Sequence, residues 1–69
     1  MEKIRIKSRI IVGLQYDRER QQLSLEFKNG ERRLFAGVPR DIVREMVKAP
    51  SPGEFYITNV RTQFERLAA

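Results

Sequence analysis

The sequence predicts a single small α+β domain: a three-stranded antiparallel β-meander, one packed helix, and a short C-terminal extended segment and helix. Two stretches alternate apolar and polar residues with a period of two, the pattern of strands with one buried face. Asn29-Gly30 follows the second stretch and predicts a hairpin. A later stretch repeats its apolar residues with helical spacing. A length of 69 residues leaves room for one such domain.

The N-terminal segment carries basic residues at every second position: Lys3, Arg5, Lys7 and Arg9. Ser8 interrupts the apolar row between them, so residues 1–8 are interpreted as a basic arm or an edge strand and residues 9–67 as the domain proper. A basic stripe can protect an exposed sheet edge from unwanted pairing. It can equally face the phosphates of a nucleic acid. Both interpretations stay open.

The predicted hairpin consists of strands at about residues 22–28 and 31–36. Its two possible registers place Phe35 on opposite faces of the sheet. A two-residue turn pairs Leu25 with Leu34 and exposes Phe35. A three-residue turn closed by a glycine bulge pairs Leu23 with Phe35, which then joins the core. Opposite-charge cross-strand pairs favour the two-residue turn, and with it an exposed Phe35; they are Lys28 with Glu31 and Glu26 with Arg33.

A helix is predicted after Pro39, because proline suits the first helical position. Its apolar residues share one side, and we expect its basic row to be solvated: Arg40, Arg44 and Lys48. Two prolines and a glycine in residues 49–53 end this helix. Residues 54–57 are expected to be extended. A final helix capped by Thr58 or Asn59 is expected to follow.

An ordered series of landmarks runs along most of the chain: Tyr16-Asp17, Leu23-x-Leu25-x-Phe27, Asn29-Gly30, Gly37-Val38-Pro39, and Ala49-Pro50-Ser51-x-Gly53-x-Phe55-Tyr56-x-x-x-Val60-Arg61. Their order and spacing over about residues 8–65 resemble the KTSC domain, a small module of some lysyl-tRNA synthetases that is also found as a stand-alone bacterial or phage protein. The resemblance implies the fold of that family and suggests RNA as a partner. The central Tyr-x-Tyr of the family falls on Arg33-Leu34-Phe35, which favours the three-residue turn and so leaves the register open. Only Phe35 keeps an aromatic side chain there, and the polar middle position of the family is the apolar Leu34.

Residues that most enzyme sites need are missing. The chain has no histidine, so none of its serines has the usual base. It has no cysteine, which excludes disulfides and zinc-thiolate sites and suits a reducing cytoplasm. The carboxylates are scattered, and no glycine-rich phosphate loop occurs. We therefore expect no enzymatic activity, no metal and no cofactor.

No apolar run approaches the length of about 18 residues that would span a membrane, and residues 2–5 lack the apolar segment of an export signal. We expect a cytoplasmic monomer without a membrane partner.

A net charge of +5, with ten arginines among fourteen basic residues, predicts an anionic partner. The first hypothesis is an RNA-binding module for single-stranded RNA or tRNA, in which cations contact phosphates and aromatic rings stack on bases. The second is an adaptor that docks on an acidic surface of a transcription or translation machine, such as RNA polymerase. The candidate contact residues are Lys7, Arg9, Arg32, Arg33, Phe35, Tyr56 and Arg61.

Arg61 has a structural alternative. It falls in the first turn of the predicted final helix, where the helix dipole disfavours a cation. A carboxylate, with Asp17 as the candidate, or an anionic partner would compensate its charge.

Overall fold

The computed structural model describes residues 2–67, which form a five-stranded antiparallel sheet with its helices packed on one face. The strands are β1 (Glu2–Ile4), β2 (Ile11–Asp17), β3 (Gln22–Phe27), β4 (Arg32–Ala36) and β5 (Glu65–Leu67), and they lie in the sheet in chain order. The helical elements are α1 (Arg40–Lys48), α2 (Pro52–Phe55) and a π-helix (Tyr56–Arg61). The α+β class is confirmed. The predicted three strands are only the centre of the sheet.

Both additional strands lie at sheet edges. β1 pairs with β2, with Ile4 opposite Leu14, so residues 2–4 are an edge strand and not a loose arm. β5 pairs with β4 at the other edge, with Leu67 opposite Leu34. Each edge strand has three residues. An edge strand was one of the two interpretations of residues 1–8, whereas β5, with only three residues, is too short to establish a period of two and was not predicted.

The hairpin between β3 and β4 adopts the three-residue turn that the family pattern favours, so the two-residue turn that the charge pairs favour is wrong. Phe35 lies opposite Leu23 and is 1% exposed. Gly30 has a φ of 90°, as the bulge position requires, and its N–H donates to the carbonyl of Phe27 over 2.9 Å. Burying a phenylalanine is worth about 1.5–3 kcal/mol, whereas a cross-strand charge pair is worth about 0.2–1 kcal/mol. Hydrophobic burial therefore decides the register.

Helix α1 follows the prediction. Val43 and Met46 are buried against the sheet, and the basic row Arg40, Arg44 and Lys48 is exposed. Pro39 precedes the helix in an extended conformation.

The C-terminal region reverses the predicted order of an extended segment and a helix. Ser51 starts a new helix, because its Oγ accepts a hydrogen bond from the N–H of Glu54 over 3.4 Å and Pro52 occupies the first turn. The expected caps lie inside the helical segment: the hydroxyl of Thr58 donates to the carbonyl of Glu54 over 3.0 Å, and the amide of Asn59 donates to that of Phe55 over 3.4 Å. Such bonds compete with α-helical N–H groups for those carbonyls, which fits the wider π turn here.

Tyr16 and Asp17 have structural roles. The buried hydroxyl of Tyr16 donates to the carbonyl of Val38 over 2.6 Å, and the N–H of Val38 donates to the carbonyl of Gln21 over 2.9 Å. One carboxylate oxygen of Asp17 accepts hydrogen bonds from the N–H groups of Glu19 and Arg20. These bonds hold the loop before α1 against the β2–β3 turn.

Across residues 2–67, none of the helices has the length and apolar character needed to cross a membrane.

Candidate functional site

A cleft with a volume of about 320 Å³ lies where the segment before β2, the β3–β4 turn and the π-helix meet. Four basic side chains line it together with one carboxylate: Arg9, Lys28, Arg33, Arg61 and Glu31. The other lining residues are Ile10, Phe27, Asn29, Tyr56 and Ile57. We call this surface the arginine cleft. Its excess of cations makes it a natural site for an anion.

Arg33 is the most constrained cation of the cleft. It lies opposite Leu25 and therefore points to the helix-covered face of the sheet. Its Nη1 donates to the hydroxyl of Tyr56 over 3.0 Å and its Nη2 to Oε2 of Glu31 over 3.1 Å. The guanidinium carbon lies 5.1 Å from the ring centroid of Phe27, within cation–π range. These contacts fix the orientation of the guanidinium group before any ligand arrives.

The Arg33 side chain runs from the buried core to the solvent-exposed cleft. It remains 23% exposed, whereas its Nε is buried and has no hydrogen-bond partner within the described part of the chain. The hydrogen bond to Tyr56 raises the pKa of Arg33 above its usual range, with partial burial opposing this and Glu31 adding to it. The guanidinium group is therefore charged at every physiological pH.

Tyr56 belongs to the core and not to an exposed stacking surface. It is 2% exposed, and its ring centroid lies 5.2 Å from that of Phe27 and 5.8 Å from that of Phe35. Only its hydroxyl reaches the cleft, where it accepts the bond from Arg33 and keeps its own proton to donate.

The expected stacking surface is absent from the described residues. Phe35 and Tyr56 are buried with Tyr16 and Phe27, and the remaining rings, Phe55 and Phe64, pack against the core. The prediction that Phe35 is available to a partner is therefore wrong, because the hairpin register turns it inward.

Arg61 lies in the last turn of the π-helix and is exposed. A cation is favoured at this end of a helix, so the expected dipole conflict does not arise. Within residues 2–67, Arg61 forms no ion pair, and Asp17 instead stabilises the β2–β3 turn. The expectation that Asp17 compensates the charge of Arg61 is therefore wrong, and the Arg61 guanidinium group is exposed at the cleft.

The segment before β2 positions Arg9. The hydroxyl oxygen of Ser8 accepts hydrogen bonds from the N–H groups of Ile10 and Ile11, each over 3.2 Å. The N–H of Lys28 donates to the carbonyl of Ile10 over 2.8 Å, which ties the segment to the hairpin turn. Arg9 therefore lies in a segment that is fixed on both sides, by the Ser8 hydroxyl and by the bond from Lys28.

Arg32 does not join the cleft. It neighbours Arg33 along β4, so its side chain points to the opposite face of the sheet, where it lies 4.0 Å from Glu26.

A second groove, of about 560 Å³, adjoins the arginine cleft. Lys7, Ser8 and Glu54 line it together with residues 50–53, which lead into α2, and it shares Arg9, Ile10 and Ile57 with the cleft. We call it the proline groove.

The sequence did not indicate Lys28, Ile10 and Ile57 as site residues, because only the folded chain brings the hairpin turn, the segment before β2 and the π-helix together.

The described residues contain no cluster of three or more acidic side chains that could hold a metal ion.

Comparison with known proteins identifies the fold. The family model of the KTSC domain matches residues 7–64. A crystal structure of a KTSC domain protein from Yersinia pestis superimposes with a TM-score of 0.88 at 20% identity, covering 99% of this chain and 96% of that one. No curated protein matches the sequence. At this identity the structural likeness bears on the fold alone.

Proposed function

The chain belongs to the KTSC domain family, and from this premise we propose that it is a non-enzymatic module that binds the phosphate backbone of single-stranded RNA in the arginine cleft. The observation that carries the proposal is the convergence of four cations on one concave surface: Arg9, Lys28, Arg33 and Arg61. A planar guanidinium group presents paired N–H donors that match two phosphate oxygens. The Tyr56 hydroxyl adds a neutral donor beside Arg33.

The cleft favours backbone contact over base readout by aromatic rings. Single-stranded RNA binders often combine a basic groove with exposed aromatic residues. This protein supplies the groove, while its rings are buried or packed against the core within residues 2–67. We therefore expect little sequence preference from ring stacking, and affinity that depends mainly on charge.

Arg61 provides the direct test of the proposal. We expect Arg61→Ala to weaken the binding of a fluorescein-labelled single-stranded RNA about five- to tenfold, while Arg61→Lys keeps most of the affinity at a simple phosphate contact. Because Arg61 is exposed, the melting temperature should be nearly unchanged. Arg44→Ala is the matched control, since Arg44 is an exposed arginine on α1 that lies outside the cleft. Equal losses in the two alanine variants would show a diffuse charge effect and contradict the proposal.

Glu31 supplies a second test, because its carboxylate competes with a phosphate for Arg33. The Arg33–Glu31 pair is half-exposed at Glu31, so its loss should change stability by less than about 1 kcal/mol. We expect Glu31→Gln to bind RNA more tightly than Glu26→Gln in fluorescence anisotropy. The two variants change the net charge equally, but Glu26 pairs with Arg32 on the opposite face. No difference between them would argue that Arg33 does not contact the ligand.

A second candidate function is an adaptor for an acidic protein surface. It is favoured by two exposed apolar side chains that line the arginine cleft beside its basic residues, Ile10 and Ile57 (40% each), because arginine and apolar residues also anchor protein interfaces. Pull-downs from a lysate with and without nuclease distinguish the two functions. A specific acidic protein that is retained after digestion and lost with Arg61→Ala would favour the adaptor.

A further inference from the structure

We propose that Ile10 and Ile57 form a ridge against which the flat face of an RNA base rests while the adjoining phosphate lies in the arginine cleft. The inference depends on the proposed function and adds a nucleoside contact to it.

The ridge occupies the junction of two surfaces. Ile10, Ile57 and Arg9 line both the arginine cleft and the proline groove, so the two concavities meet at these residues, and we call the two together the binding path. The basic end of this path fits phosphate groups. Its middle is apolar, since both isoleucines are 40% exposed. A nucleotide has the same arrangement, because an anionic phosphate and a flat, largely apolar base lie one sugar apart.

Ile10, one half of the ridge, is held in place before any ligand binds. A Cβ atom placed on Gly53 would lie 2.8 Å from both Cγ1 and Cδ1 of Ile10, so the Ile10 side chain rests directly on the Gly53 backbone. The carbonyl of Ile10 accepts the bond from Lys28, and its N–H donates to Ser8. The partner residue Ile57 is carried by the π-helix. A preorganised surface loses little conformational freedom when it is covered.

A base is a better occupant of this ridge than an apolar protein side chain. Basic residues surround the ridge on the same path, namely Lys7, Arg9, Lys28, Arg33 and Arg61, against only Glu31 and Glu54. A ligand that covers the isoleucines therefore has to carry negative charge next to its apolar part. Enzymes that extrude a base hold it between aromatic or apolar side chains, so an apolar ridge can pack against the face of a base.

The test compares Ile57→Ser with Val12→Ser on two probes: a single-stranded RNA hexanucleotide and an abasic hexamer of the same backbone. Val12 is the matched control, since it is a β-branched residue that is 57% exposed and lines neither groove. We expect Ile57→Ser to weaken binding of the hexanucleotide about five- to tenfold and to leave the abasic hexamer unaffected. Val12→Ser should bind both probes as the original protein does.

Three outcomes would overturn the inference or its premise. Equal weakening of both probes by Ile57→Ser means that Ile57 does not contact a base. No effect of Ile57→Ser, while Arg61→Ala weakens binding, overturns the base contact and leaves the phosphate site standing. No effect of either substitution overturns the proposed function itself. Thermal melting of each variant confirms that it is folded before its binding is compared.

Discussion

At the scale of single residues, Arg33 links the core to the proposed binding surface. Its guanidinium group contacts the core ring of Phe27, the hydroxyl of Tyr56 and the carboxylate of Glu31. A residue held in this way presents a fixed charge to a ligand, and its raised pKa keeps that charge constant. RNA binding through Arg33 should therefore not vary with pH near neutrality.

Tyr16 gives a stability prediction at the same scale. Tyr16→Phe removes the hydrogen bond to the buried carbonyl of Val38 and should cost about 1–3 kcal/mol near pH 7. Burial raises the pKa of Tyr16, with Arg40 and Arg18 partly opposing it. The folded protein thus holds the phenol proton more tightly than the unfolded chain, and this stabilisation is lost as the pH rises above about 10.

Urea unfolding of both proteins at about pH 7 and pH 11 tests this expectation. The stability difference between the original protein and Tyr16→Phe should narrow at the higher pH. Tyr56 is present in both proteins, so its own titration cancels in the comparison. A difference that stays constant would show that folding does not shift the pKa of Tyr16.

At the scale of elements, the β3–β4 hairpin determines which aromatic residues reach the surface. Its three-residue turn places Phe35 and Arg33 on the helix-covered face and leaves Leu34 on the other. We expect Phe35→Ala to cost about 3–5 kcal/mol or to leave the domain unfolded. Leu34→Ala should cost about 1 kcal/mol, since Leu34 is only half-buried. Denaturation of the two variants tests the register, and the reverse order of losses would restore the two-residue turn.

Pattern length determined which elements could be predicted. Helix α1 has nine residues, enough to show its apolar side, and Asn29-Gly30 located the hairpin turn. Strand β5 was too short to show a period, and the alternation at the N-terminus left both an edge strand and a basic arm open. The π-helix was missed because its i to i+5 bonding leaves no signature in apolar spacing.

The sequence predicted only part of the candidate site, because strand register decides which side chains share a face of the sheet. Arg9, Arg33, Tyr56 and Arg61 come together as one surface, although of Tyr56 only the hydroxyl takes part. Neighbouring strand residues point to opposite faces, so Arg32 could not join Arg33. Sequence alone could not establish the register that separates them.

At the scale of the whole molecule, the two faces of the sheet differ in what they can bind. The row across the open face consists of Lys3, Gln15, Ser24, Leu34 and Leu67, with no aromatic ring. The edge of the helix-covered face instead carries the arginine cleft and the proline groove. With a net charge of +5, we expect the molecule to attract a polyanion such as RNA at long range, and we propose that the cleft concentrates that attraction at one surface.

The salt dependence of RNA affinity tests the central claim most directly. If the four cations of the cleft contact phosphates, a plot of log affinity against log salt concentration for single-stranded RNA should have a slope of about −3, from roughly −0.7 per contact. Arg61→Ala should reduce the steepness by about 0.7, while Arg44→Ala leaves the slope unchanged. A slope near zero, or the same slope in Arg61→Ala as in the original protein, would contradict phosphate binding in the arginine cleft.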